Sequence, residues 1–98
     1  MKTTIKFKRY INNNPSQVKQ IDIYSNGSKH WWLNGKRHRF DGPAIEYIDG
    51  VKHWFLDGRR HREDGPALTY SNGYKEWWLN NNSFSEKEHR EALKEYKR

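Results

Sequence analysis

Polar and apolar residues alternate in short runs along this chain, and the runs are punctuated by turn-forming pairs. Ile45-Glu46-Tyr47-Ile48 and Val51-Lys52-His53-Trp54-Phe55-Leu56 flank Asp49-Gly50, and both are rich in β-branched and aromatic residues. Such runs predict antiparallel strands joined by a type I′ turn, because Asn-Gly and Asp-Gly accept positive φ at both central positions. Asn26-Gly27 and Asn72-Gly73 stand in the same setting. Asn34-Gly35 and Asp57-Gly58 predict a second reversal, and Asp-Gly-Pro at 41–43 and 64–66 a third, where glycine permits unusual dihedrals and proline ends ladder donation.

The pattern has a period of 23 residues, seen in Gly27, Gly50 and Gly73 and in Tyr24, Tyr47 and Tyr70. Lys29, Lys52 and Lys75 keep the register, as do Trp31, Trp54 and Trp77, then Trp32, Phe55 and Trp78, then Leu33, Leu56 and Leu79. Two units share a longer ending, Asn34-Gly35-Lys36-Arg37-His38-Arg39-Phe40-Asp41-Gly42-Pro43 and Asp57-Gly58-Arg59-Arg60-His61-Arg62-Glu63-Asp64-Gly65-Pro66. The third departs after Leu79 to Asn80-Asn81-Asn82-Ser83-Phe84 and reads as a terminal, capping unit.

The expected fold is mainly β: an antiparallel meander of tandem 23-residue hairpin repeats with a short C-terminal capping helix. It forms a single domain over 1–98, with a cap strand and loop at 1–20, repeats at 21–43, 44–66 and 67–84, and the helix within 85–98. Thr4 to Tyr10 reads as an edge strand blunted by lysines, 12–16 as a turn or loop, and Val18 to Tyr24 as a resumed strand. Ser85-Glu86-Lys87-Glu88 is a capping box that starts a helix from about Glu86 to Tyr96, with His89, Ala92, Leu93 and Tyr96 on one stripe.

Period-two alternation sends Lys29, Trp31 and Leu33 to one face and His30 and Trp32 to the other. Tyr47, Trp54, Leu56 and their equivalents are expected to pack the core, leaving Trp32, Phe55 and Trp78 on the opposite face. That second row is either covered by the helix or a curled sheet, or serves as a stacking platform for a ligand.

Composition sharpens the picture. Only 33% of the 98 residues are hydrophobic, so five Trp, six Tyr and four Phe must supply much of the buried area. No cysteine is present, which removes a disulfide framework, and no stretch approaches the ~20 apolar residues of a membrane span or forms a signal peptide. The expected location is cytoplasmic, in the host cell if the protein is viral. A formal charge of +7 favours an anionic partner.

The candidate ligand-binding residues are Lys36, Arg37, His38, Arg39, Arg59, Arg60, His61 and Arg62, with Trp32, Phe55 and Trp78 beside them. Repetition is expected to bring the two basic runs side by side, as a double row of guanidinium groups suited to phosphate with rings to stack on a base. The competing reading pairs Arg39 and Arg62 with Asp41, Asp64 or Glu63 and gives His38 and His61 to turn carbonyls. No metal site is expected, since His38 and His61 stand one repeat apart without cysteine, and no cofactor is expected. Neither a nucleophile with its base nor paired carboxylates occur in a catalytic context, so the chain is expected not to be an enzyme.

The run Trp-Trp-Leu-Asn-Gly-Lys-Arg-His-Arg-x-Asp-Gly-Pro-Ala over 31–44, repeated one unit on, resembles the variant membrane-occupation-and-recognition-nexus repeats, called MORN-like, of small proteins from bacteriophages, large DNA viruses and bacteria. The resemblance spans roughly residues 20 to 84. It implies a meander of hairpins that serves as a binding or scaffolding surface, and some similar bacterial proteins are labelled antitoxins. The ordinary repeat opens with Tyr-x-Gly, whereas this chain has Tyr24-x-x-Gly27, so a lipid function is not carried over. The expected function is a non-catalytic, phage- or virus-encoded anti-defence protein that captures a nucleotide signal or nucleic acid. The alternative is an inhibitor or antitoxin that binds and blocks a host or toxin protein.

Overall fold

The structure, a computed structural model, describes residues 4–11 and 14–96, and the side chains of residues 18–95. The first two strands, β1 (Thr4–Ile11) and β2 (Asn14–Tyr24), form a long antiparallel hairpin with β1 at the sheet edge. Asn14-Pro15-Ser16 thus belongs to a strand, and the boundary drawn at residue 20 falls inside β2; residues 12 and 13 lie outside the described residues. Pro15 is tolerated because the register jumps from Tyr10↔Val18 to Ile11↔Asn14 and leaves it without a ladder partner on β1.

The meander then continues through β3 (Lys29–Leu33), β4 (Lys36–Arg37), β5 (Ile45–Glu46), β6 (Lys52–His53), β7 (Phe55–Leu56), β8 (Arg59–Arg60), β9 (Leu68–Thr69), β10 (Lys75–Leu79) and β11 (Asn82–Phe84). β4 and β5 are both antiparallel to β3, Lys36 and Arg37 opposite Leu33 and Trp32, then Ile45 and Glu46 opposite His30 and Lys29. They are two pieces of one returning strand. The residues between them leave that line opposite Trp31, whose carbonyl accepts from His38 N–H and whose N–H donates to Ala44. Trp54 does the same one repeat later with His61 and Ala67.

Asp-Gly-Pro is therefore not a third reversal. It closes an excursion that rises from the sheet and rejoins the same strand. The local signal is the same for both outcomes; the paired hydrogen bonds at Trp31 and Trp54 decide between them.

The turns also sort differently from the sequence expectation. Asn34-Gly35 and Asp57-Gly58 have positive φ at both residues, as does Asn80-Asn81, and these are the type I′ turns. At Asn26-Gly27, Asp49-Gly50 and Asn72-Gly73 only the glycine has positive φ. There Gly27 N–H donates to Tyr24 and Tyr24 N–H to Ser28, a three-residue loop with the glycine in the left-handed position. The Asn or Asp carboxamide or carboxylate accepts from the amide two residues on, which holds that residue in ordinary turn geometry.

Among the described residues the buried hydrophobic side chains divide between the two faces of the sheet, and part of the core lies on the face expected to be open. Ile45 and Leu68, both buried, stand in register with His30, His53 and Glu76, and Trp32 and Phe55 stack on His30 and His53. Tyr47 is two residues beyond Ile45 and so joins this face, edge-on to His30 and His53 and 41% exposed, rather than packing with Trp54 and Leu56. The opposite face carries Trp31 and Trp54 under the excursions, with Ala44 and Ala67 fully buried at their bases.

Helix α1 (Glu86–Tyr96) starts where the third excursion would begin. Ser85 and Glu88 form the reciprocal capping box, Glu88 N–H to Ser85 Oγ and Ser85 N–H to Glu88 Oε1. His89 is buried and donates Nε2–H to the Arg62 carbonyl at 2.7 Å, which fixes the helix against the second excursion.

Candidate binding site

The two basic runs do not form a double row. Gly58 N–H donates to the Arg37 carbonyl and Arg39 N–H to the Phe55 carbonyl, so β7 lies between the runs and separates them by about two strand spacings, ~9–10 Å. Each run also divides within itself. Lys36 and Arg59 are exposed beside the type I′ turns, and the other three residues of each run leave in different directions.

Arg39 and Arg62 turn into the excursions. The Arg39 guanidinium lies 4.0 Å from the Trp31 ring centre, donates to Asp41 Oδ1 and the Pro43 carbonyl, and stands 3.6 Å from Glu46. Arg62 repeats this on Trp54, Asp64 and Pro66. Arg39 holds the Asp41 carboxyl below its usual range by hydrogen bond and charge. These arginines are neutralised and stacked inside the fold. A Cβ on Gly42 would meet Arg39 Cζ at 2.7 Å, and one on Gly65 would meet Arg62 Cζ at 2.8 Å, which explains the glycine of Asp-Gly-Pro.

His38 and His61 accept rather than donate at Nδ1, from the amides of Asp57 and Asn80 in the next unit's turn. They tie one repeat to the next. His61 is buried and its Nε2–H faces Glu63. The expected bonds to turn carbonyls are replaced by bonds to turn amides, because each turn presents its N–H, not its carbonyl, to the preceding excursion.

Arg37 and Arg60 lie on the Trp32 and Phe55 face among the rings. Arg37 covers Trp32 at 4.8 Å, and Arg60 sits between Phe55 and Trp78 at 5.3 and 5.2 Å. Neither makes an ion pair among the described residues, and Arg60 Nη2 donates to His53 Nδ1 at 3.0 Å. Burial, with the charges of Arg60 and Arg37, pushes the His53 pKa down from 6.5 to about 4. The aromatic row is thus filled by its own arginines, and Trp32, Phe55 and Trp78 are half-buried.

The site that sequence reasoning missed is on the Trp31 face. The excursions stand up as ridges, and grooves run beside them. One groove of about 700 Å³ is floored by Ile21, Trp31 and Leu33 between Lys19 of β2 and the first ridge. A second, of about 300 Å³, is floored by Trp54 and Leu56 between the two ridges. Phe40, 86% exposed, stands on the first ridge and lines both. The only sequence signal was an aromatic residue at a position where the next unit has Glu63.

Among the described residues no group of three or more His, Cys, Asp or Glu comes together as a metal site would, and no helix is long and apolar enough to cross a membrane. Fold and grooves define a tandem β-hairpin repeat protein with a ridged, aromatic-floored face. Comparisons of the chain with protein families, with curated proteins and with solved structures found no match.

Proposed function

We propose that this protein is a non-catalytic module that binds another protein through its ridged face and acts by occupying that partner's surface, as an inhibitor or antitoxin does. The observation that supports the reading is Phe40, a large apolar side chain 86% exposed on a ridge between two Trp-floored grooves. Exposed rings beside apolar clefts are the anchors of protein interfaces. The phosphate-binding row that favoured an anionic ligand is not assembled, since Arg39 and Arg62 already hold carboxylates.

Capture of partners from cells with the wild type and with Phe40→Ser tests the reading. The expected result is a protein retained in high salt by the wild type and lost with Phe40→Ser. Retention that is indifferent to Phe40→Ser overturns it.

One observation favours the anionic-ligand reading: Arg37 and Arg60 are cationic, flanked by rings, and without carboxylate partners among the described residues. That reading requires binding of a nucleotide or single-stranded RNA that falls steeply with salt and is abolished by Arg37→Gln with Arg60→Gln.

A further inference from the structure

The chain closes one end of its ridged face with its own helix. The third unit lacks the Arg-x-Asp-Gly-Pro excursion, and α1 takes its place over the Trp77 and Leu79 side of β10 and β11. Leu79 is 5% exposed, whereas Leu33 and Leu56 at the same repeat position are only half-buried. His89 locks the helix by its bond to the Arg62 carbonyl on the neighbouring ridge. An amphipathic helix is therefore the element that this repeat surface already accepts.

Toward the opposite end the same floor is open among the described residues. Ile21 stands directly across from Trp31, and with Leu33 they line a groove of about 700 Å³ that runs from the first ridge on one side to Lys19 of β2 on the other. Phe40 overhangs it. We infer that this groove seats an α-helix of the partner protein, amphipathic and acidic on its polar face. The inference rests on the protein-binding reading above and names the element the partner presents.

The geometry and the charge both point to that occupant. A helix packed on Trp31 and Leu33 would set its apolar stripe on the floor and its flank against Phe40. Arg39 at the wall is already paired with Asp41 and Glu46, so the positive charge left at the rim is that of Lys19, which is exposed. With 19 Lys and Arg against 12 Asp and Glu over the chain, the rim and the long-range field attract acidic side chains and repel basic ones.

The test uses the full chain and a synthetic helical peptide of about four turns, with a leucine stripe and glutamate on the polar face. Binding is followed by NMR shifts of the Trp31 indole N–H and the Leu33 methyls. The expected result is shifts confined to the Ile21, Trp31, Leu33 and Phe40 groove, with affinity about tenfold weaker in Phe40→Ser. Lys19→Glu, or lysine in place of the peptide's glutamates, also weakens it.

No binding, shifts on the Trp32 face, or equal binding of the lysine peptide overturns the inference. So does self-association of the free protein that buries Phe40, which assigns the groove to a second copy. A photo-crosslinker at position 40 separates the two readings. A cross-link to a strand or loop of a captured protein overturns the helix and leaves protein binding standing, whereas a cross-link to nucleic acid alone overturns both.

Discussion

The guanidinium of Arg62 lies over the Trp54 ring at 3.8 Å, and Arg39 lies over Trp31 at 4.0 Å one repeat earlier. Each arginine braces its own ridge through a carboxylate and a proline carbonyl and seats that ridge on the ring of the strand beneath. The most repeated part of the sequence is thus a structural clasp, and its conformation decides where the grooves run.

The clasp predicts a coupling between Arg39 and Gly42. Gly42→Ala puts a Cβ where the guanidinium lies, so it is expected to displace Arg39 and cost about 1–2 kcal/mol, the scale of a partly desolvated cation–π contact and its hydrogen bonds. In an Arg39→Ala background the same change is expected to cost almost nothing. A double-mutant cycle by urea unfolding measures this, and additive effects would contradict the clasp.

His61→Ala is expected to destabilise by about 2–3 kcal/mol, because it leaves the Asn80 amide without its acceptor and opens a cavity at a 3% exposed site. His38→Ala removes the equivalent bond to Asp57 from a more exposed position and is expected to cost less. Chemical denaturation of the two variants checks the order.

Asn81 has a positive φ where the other two type I′ turns have glycine, and its Oδ1 accepts from Arg60 N–H at 2.8 Å. Asn81→Gly relieves the backbone and loses the bond, so its net effect is expected within about 1 kcal/mol. Asn81→Ala keeps the strain and loses the bond, and is expected to cost about 2 kcal/mol. Equal effects of the two substitutions would refute this account.

His53 supplies a pH dependence. Its folded pKa is depressed to about 4 from 6.5, so the unfolded chain takes the proton first as pH falls. Stability is expected to decline between about pH 6.5 and 4 and to rise again as pH is raised through that window. The loss per unit stays below ~1.4 kcal/mol, because water screens a half-exposed ring. His53→Gln is expected to flatten the slope of unfolding midpoint against pH; an unchanged slope would assign it elsewhere.

Local chemistry sufficed for much of the architecture. The period, the strands beside the turn pairs, and α1 with its Ser85–Glu88 box were legible because turn residues, β-branched runs and caps act within a few residues of themselves. Alternation showed that Trp31 and Trp32 part to opposite faces. It could not say that both faces bury side chains, since that depends on Ile45 and Leu68 meeting His30 and His53 across strands while Ala44, Ala67 and Leu79 are covered on the other side. Asp-Gly-Pro read as a reversal, and only the two long-range bonds of Trp31 show it to be an excursion. The basic run read as one patch, but the tertiary structure spends Arg39 on Trp31, Arg37 on Trp32 and His38 on the next unit's turn. What the sequence determined was the repeat and its elements. What only the tertiary structure decided was which side chains those elements consume and which, like Phe40, they leave in water.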